Sequence, residues 1–361
     1  MKKSIFILAA LALLSASCTK TEVVNSGAQS VQKGIGFSAY TAKPTKAAQE
    51  DVTNTNLTSF NVSAIGNSAI YFDGVTFSKE GTYWESSTKY FWPAYALNFY
   101  AWNVPAKGAF NSSIALGSQT LTFTPSPTLS EQEDLVASKA LNQTEPASGG
   151  TSLTFKHYLT QIVVKALNTN TTYDVKVDGV KIAHLDNTVE YNFASETSTV
   201  AGTATDQTYF NTFTTAKTLS DTATEVMTDG GEGRWYLVPQ TVTKWDQATE
   251  KDNASQNTYL ALKVKITANS GSLKVYPASG EESAWMAVPI AQEFKQGHKY
   301  TFVIKFFESN GAGFVDPEQP GELDGDTTTP DNGKSIIGGA IKFSVSEVEG
   351  WIPETEIVIS L

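Results

Sequence analysis

Cysteine occurs once in this 361-residue chain, at Cys18, so no disulfide can form within it and the fold rests on its core alone. Arginine also occurs once, at Arg234, which leaves no set of guanidinium forks to clamp phosphate. The three histidines, His157, His184 and His298, have no second His or Cys at metal-ligand spacing. No G-x-S-x-G elbow, P-loop or H-E-x-x-H stretch is present. Basic residues are outnumbered 26 to 37, for a net charge of −11, which argues against nucleic acid and anionic membrane surfaces as partners.

The N-terminal stretch carries the clearest signal. Met-Lys-Lys precedes an apolar run over residues 5–14, and Ser15, Ala16 and Ser17 lead to Cys18. A basic start, a short apolar segment and small residues describe a secretory signal peptide, residues 1–17. The apolar run is too short for a bilayer span, which needs about 20 residues. The chain's single cysteine stands where a bacterial lipobox places it. The expectation is export, lipid attachment to the Cys18 thiol, and an initial tether to a membrane.

The remainder reads as all-β. Thr, Ser, Asn, Val, Phe and Tyr are abundant, and aromatic residues reach 11%. Residues 34–40 alternate, with Ile35, Phe37 and Ala39 on one face. Residues 57–65 alternate through Phe60, Val62 and Ala64. Trp92 and Trp102 lie in apolar contexts that suit a core better than a sugar platform. Residues 146–150, Pro-Ala-Ser-Gly-Gly, read as a linker, followed by one long strand over 153–167. Asp178-Gly179 predicts a hairpin turn between 173–177 and 180–182. Residues 311–334, rich in Gly, Pro, Asp and Thr, read as a long solvated loop. Phe302, Ile304 and Phe306 share one strand face, and Ile341, Phe343 and Val345 another.

Catalytic and metal chemistry find little support. The acids Asp316, Glu318, Glu322, Asp324, Asp326 and Asp331 could in principle offer oxygens to calcium, but their spacing is not that of an EF-hand. They read as part of the solvated loop. Any chain with 37 acids contains candidate carboxylate pairs, so a glycosidase gains nothing from them. The chain is expected to be no enzyme and to use no cofactor and no metal.

Several short motifs recur in a telling order. Cys18-Thr-Lys-Thr-Glu-Val is followed by the 34–40 strand, the junction Thr45-Lys46-Ala47 and Leu57-Thr-Ser-Phe-Asn-Val. Trp235-Tyr-Leu-Val-Pro-Gln, Gly297-His-Lys-Tyr-Thr-Phe and Gly339-Ala-Ile-Lys-Phe-Ser-Val with Gly350-Trp351 complete the series. In this order the chain resembles the fimbrillin family, lipoprotein precursors of type V pili, over nearly its whole length. The resemblance implies two transthyretin-like β-sandwich domains, assembly with other pilus subunits by strand exchange after proteolysis, and a place on the outer membrane and in the fimbrium. It also implies a basic processing site. The family's protease cuts after arginine, which is absent here before Arg234; Lys46, followed by Ala47, stands in its place. Lys43 is the poorer candidate because Pro44 follows it. An uncut chain would remain a lipid-anchored basal subunit or a tethered surface protein.

The expected organisation is a tether and leading strand over 18–46, an N-terminal sandwich over 47–148 and a C-terminal sandwich over 151–310. A flexible loop over 311–340 and a donor segment over 341–361 follow. Cutting after Lys46 would free the leading strand and open a groove of unpaired backbone groups, a template for a neighbour's strand. Ile341, Phe343 and Val345 are the pocket-filling candidates. Residues 1–46 hold six lysines and one acid, Glu22, so the processed chain would carry −16 in place of −11. The alternative is an outer-membrane, lipid-anchored glycan-binding β-sandwich protein. The surface ligand is not legible from the sequence.

Overall fold

The computed structural model describes residues 33–41, 51–53, 56–201, 206–230, 233–268, 270–278, 280–309, 311–318, 331–338 and 341–349. Among these there is no α-helix, only a short 3-10 turn at Leu129–Glu131. The described residues are all-β: one sheet closed into a barrel, a two-sheet sandwich and an intervening sheet.

The first body is built on a sheet that closes on itself. Its leading strands are β1 (Phe37–Thr41), β2 (Ser59–Gly66), β3 (Ala69–Glu80), β4 (Tyr83–Glu85) and β5 (Leu97–Trp102). The chain leaves this sheet for β6 (Ala109–Ile114) and β7 (Gln119–Thr124), then returns as β8 (Val136–Gln143) and β9 (Thr151–His157). The order around the ring is β1-β4-β3-β2-β5-β8-β9, so β1 is the strand that closes it. Period-2 alternation drives this: in β9 every second residue is buried and the others face water. The inward residues meet in an aromatic core that includes Phe37, Phe60, Phe77, Phe99 and Phe155.

Tyr158 and Leu159 carry the chain into the second body, which starts with β10 (Thr160–Asn168) and β11 (Tyr173–Leu185). β12 (Val189–Asn192) and β13 (Thr197–Val200) reach back and extend β7 and β6 into a four-stranded sheet. The second body then continues with β14 (Gln207–Thr218), β15 (Thr224–Glu225), β16 (Trp235–Leu237) and β17 (Gln240–Val242). It ends with β18 (Tyr259–Ala268), β19 (Leu273–Tyr276), β20 (Ala284–Pro289), β21 (Gln292–Phe294), β22 (His298–Phe306), β23 (Phe314–Val315) and β24 (Lys342–Glu349). One sheet runs β15-β10-β22-β24, with β16 also on β10; the other runs β14-β11-β18-β20-β23, with β19 on β18. Their inner faces share one core, from Ile162 and Phe302 on one side to Val180 and Leu262 on the other.

Three expectations change here. Residues 146–150 connect β8 to β9, and β9 completes the first sheet, so this stretch is a connection within one body. The long 153–167 strand is two strands, because Tyr158 and Leu159 are both buried and break the alternation on which one flat strand depends. Asp178-Gly179 makes no hairpin: β11 runs straight through it with a register shift against both neighbours. A Cβ on Gly179 would stand 3.0 Å from the Trp285 ring and 3.1 Å from the Asn211 carbonyl oxygen, and Ser283 Oγ donates to Asp178 at 2.5 Å. Cross-strand packing therefore holds these two residues inside the sheet as a bulge.

The 311–340 loop also differs from its composition. Residues 311–318 and 331–338 pair with each other and bury Ala312, Val315, Asp316, Asp331 and Ile336 against the second body. Glu322, Asp324 and Asp326 lie outside the described residues. Among the described residues, no His, Cys, Asp and Glu side chains gather into a group able to hold a metal ion.

Candidate functional site: the groove closed by the first strand

β1 is held in the ring by alternate side chains and a short ladder. Ile35, Phe37 and Ala39 point inward and are buried. The Phe37 ring meets Phe77 at 4.8 Å, Phe99 at 5.1 Å and Phe60 at 6.1 Å between centroids, with edge-to-face geometry throughout. On one side β1 runs parallel to β9 over five residue pairs; on the other, a single pair, Phe37 with Trp84, joins it antiparallel to β4. Thr151 N–H donates to the Gly36 carbonyl at 2.9 Å, and Ile35 N–H to the Tyr90 carbonyl at 2.7 Å. A Cβ on Gly150 would fall 2.7 Å from the Gly36 carbonyl oxygen, so only glycine admits β1 at this distance. Beside the start of the strand lies a cavity of about 360 Å3, lined in part by Lys33, Tyr83, Lys89 and Tyr90.

Downstream of residues 42–50 the chain is fixed independently of β1. Asp51 is buried, and its carboxylate accepts from Arg234 Nη1 at 2.9 Å on each oxygen. Oδ1 also accepts from Gln161 Nε2 at 2.8 Å and from the Tyr236 hydroxyl at 2.6 Å. Next to it Val52 N–H donates to Asp134 Oδ2, which lies 2.7 Å from His157 Nδ1. Burial raises the Asp134 carboxyl above its ordinary value, against the lowering effect of His157, and nearby Asp51 adds to the rise. Burial and the negative charge of Asp51 push the Tyr236 hydroxyl well up, so it stays a donor.

At the other end of the chain, β24 is an edge strand of the second body, antiparallel to β22. Val345 is buried, and Ile341 and Phe343 pack against the core, Phe343 with its ring 6.2 Å from Phe302. Phe343 and Val345 thus lie in one docked strand in this state, with Ile341 immediately before it. Cys18, Lys46 and Ala47 lie outside the described residues. His157 is buried and paired with Asp134.

Sequence reasoning passed over Asp51, and it took Arg234 only as a missing phosphate clamp. The available signal was the position of Arg234: the chain's single guanidinium directly precedes the apolar Trp235-Tyr236-Leu237-Val238, where a charge must find a buried partner.

The described residues are all-β, with the first described strand closing its own sheet and the last at a sheet edge. The chain belongs to the fimbrillin-like family, whose profile matches residues 21–317. No functionally curated protein matches it by sequence. Among solved structures it is similar to a fimbrial protein from Bacteroides vulgatus, with 17% identity, a TM-score of 0.48, and coverage of 76% of this chain and 94% of that one. It is also similar to a protein assigned provisionally to cell adhesion from Bacteroides ovatus, with 14% identity, a TM-score of 0.48, and coverage of 90% and 99%.

Proposed function

We propose that this chain is a structural subunit of a surface pilus, exported as a lipoprotein precursor anchored through Cys18, processed between Lys46 and Ala47, and polymerised by strand exchange in support of adhesion. The observation that carries this reading is the match between the strand that fills the groove and the strand proposed to replace it. Ile35-Gly36-Phe37-Ser38-Ala39 and Ile341-Lys342-Phe343-Ser344-Val345 share apolar residues at the same three positions and a serine at a fourth. A neighbour's Phe343 fits the aromatic cage of Phe37, with Ile341 and Val345 in the seats of Ile35 and Ala39.

The topology supports the same reading. Losing β1 exposes β4 and β9 to an incoming strand while Asp51 keeps the rest of the first body anchored. β24 sits at a sheet edge, so it can leave by breaking one ladder. The contact is head to tail and propagates as a filament. Each large apolar side chain seated in the groove contributes roughly 1.5–3 kcal/mol. Other copies of the chain or related subunits are the partners, and the outer membrane holds the precursor through lipid.

The test is elongation after limited digestion at the 42–50 segment. Processed wild type is expected to form ladders that resist unheated detergent gels. Phe343→Asp is expected to be processed and to remain monomeric. Ladders of undiminished length from Phe343→Asp would remove this segment as the donor.

A further inference from the structure

Outside the groove, the second body holds a buried amine against a buried carboxyl. Lys181, on β11, extends across the sheet over Ala261 of β18 and Ala287 of β20, which lie in one cross-strand row with it. The same row continues from Ala287 to Phe314 of β23, and Asp316 follows two residues on. The small side chains leave a trough for the lysine stem. Nζ lies 5.1 Å from the centre of the Tyr259 ring and 5.4 Å from that of Trp285. It ends 2.6 Å from Asp316 Oδ2, with the Asp316 carboxyl fully buried. This approach does not have hydrogen-bond geometry, and Oδ2 has no other hydrogen-bond partner.

Two further groups complete the cluster. Tyr259 Oη is 3.0 Å from Asp316 Oδ1 and 2.9 Å from Glu318 Oε2, so its one proton can serve either oxygen. Glu318 Oε2 is 3.4 Å from Nζ.

We propose that Lys181 and Asp316 join in an intramolecular isopeptide bond. The ammonium first passes one proton to the carboxylate, which leaves a neutral amine beside a neutral acid. The Nζ lone pair then attacks Cγ, and Tyr259 O–H donates to Oδ1, where negative charge develops. The Glu318 carboxylate takes the second amine proton and delivers it to the departing oxygen. The N–C bond forms, the C–Oδ2 bond breaks, and one water leaves. Ammonium plus carboxylate becomes amide plus water, so no oxidant or external reagent is required.

The surroundings favour this outcome. A buried ion pair bears the desolvation of two charges, and a neutral amide does not. Fixed proximity replaces a bimolecular encounter, a contribution of about 7–11 kcal/mol to the barrier in well-oriented systems. Hydrogen bonding from His184, opposed by burial and helped by the Lys181 charge, lowers the Glu318 carboxyl to about 2, so it is ionised at neutral pH and holds the amine proton only in passing. If the subunit is a pilus component, the bond also lies where load would enter. Tension on a donated C-terminal segment reaches the body through residues 311–338, and an amide at Asp316 ties that strap to the long strand β11.

Peptide mass mapping of the folded full chain tests this directly. The expected result is a tryptic species joining the Lys181 and Asp316 peptides, lighter than their sum by one water, with no cleavage after Lys181. Lys181→Arg retains the charge and is expected to give the two peptides unlinked. Wild-type protein that is cleaved after Lys181 and yields an unmodified Asp316 peptide in full would overturn the proposal. So would a water loss mapped to other residues. Glu318→Ala is expected to leave a large share unlinked; undiminished linkage there would remove Glu318 from the proton transfer.

Discussion

Asp51 and Arg234 stand 183 positions apart and meet as a buried ion pair, with Nη1 at 2.9 Å from each carboxylate oxygen. Arg234 immediately precedes the β16 strand of the second body, while Asp51 is the first described residue after 42–50. The pair therefore fastens the start of the first body to the second. It also sets a fixed point downstream of Lys46, so that after loss of residues before Ala47 the first body would stay fastened to the second.

Breaking this pair from one side leaves an uncompensated buried charge. Arg234→Ala is expected to lower unfolding free energy by about 3–5 kcal/mol. Denaturant titration followed by tryptophan fluorescence measures it. A loss below about 1 kcal/mol, the range of exposed pairs, would show that Asp51 is hydrated after all.

Phe37 supplies the largest side chain of β1. Phe37→Ala is expected to cost about 3–5 kcal/mol through lost burial and a residual cavity. The loss should concentrate in the first body. Hydrogen exchange is the suitable readout: amides of β4 and β9 should exchange faster, and those of β11 and β18 should keep their protection. Equal loosening of both bodies would mean that the ring and the sandwich unfold as one unit.

His184 links Asp206, at 2.7 Å from Nδ1, with Glu318, at 3.1 Å from Nε2. Lys181, Asp316 and Tyr259 lie beyond Glu318 in the same cluster. Burial alone would lower the imidazole, but hydrogen bonds to Glu318 and Asp206 and their charges outweigh it and raise the value above the ordinary 6.5. A raised folded value contributes stability that is complete below about 6.5 and fades as pH climbs through the folded value. Melting temperatures of wild type and His184→Gln should differ most near pH 5–6 and converge on the alkaline side. A gap that widens with rising pH would show that His184 is neutral in the fold.

Cys18 offers the chain's only thiol. Cys18→Ala is expected to abolish labelling by radioactive palmitate and to release the precursor from membranes. Equal labelling of both forms would exclude Cys18 as the lipid site.

Much of the strand content was legible because burial on one sheet face imposes a period of two. Ile35, Phe37 and Ala39, then Phe302, Ile304 and Phe306, announce their strands and their inward faces without help from the rest of the chain. Asp178-Gly179 misleads for the converse reason. Its local preference is a turn, and cross-strand contacts from Ser283, Trp285 and Asn211 override it. Asp316 misleads through composition, since a run of Asp, Gly and Pro reads as solvated whether or not a buried cation such as Lys181 lies opposite.

The sequence by itself determined the all-β class, the inward faces of its strands and the scarcity of basic and thiol chemistry, because these follow from local alternation and from counting. Tertiary structure alone decided which charges meet. Asp51 finds Arg234, and Glu318 finds Lys181 across 137 positions, through sheet pairings that no local pattern encodes. It also decided that β1 closes a ring, because closure depends on β4 and β9 arriving on either side of the same strand.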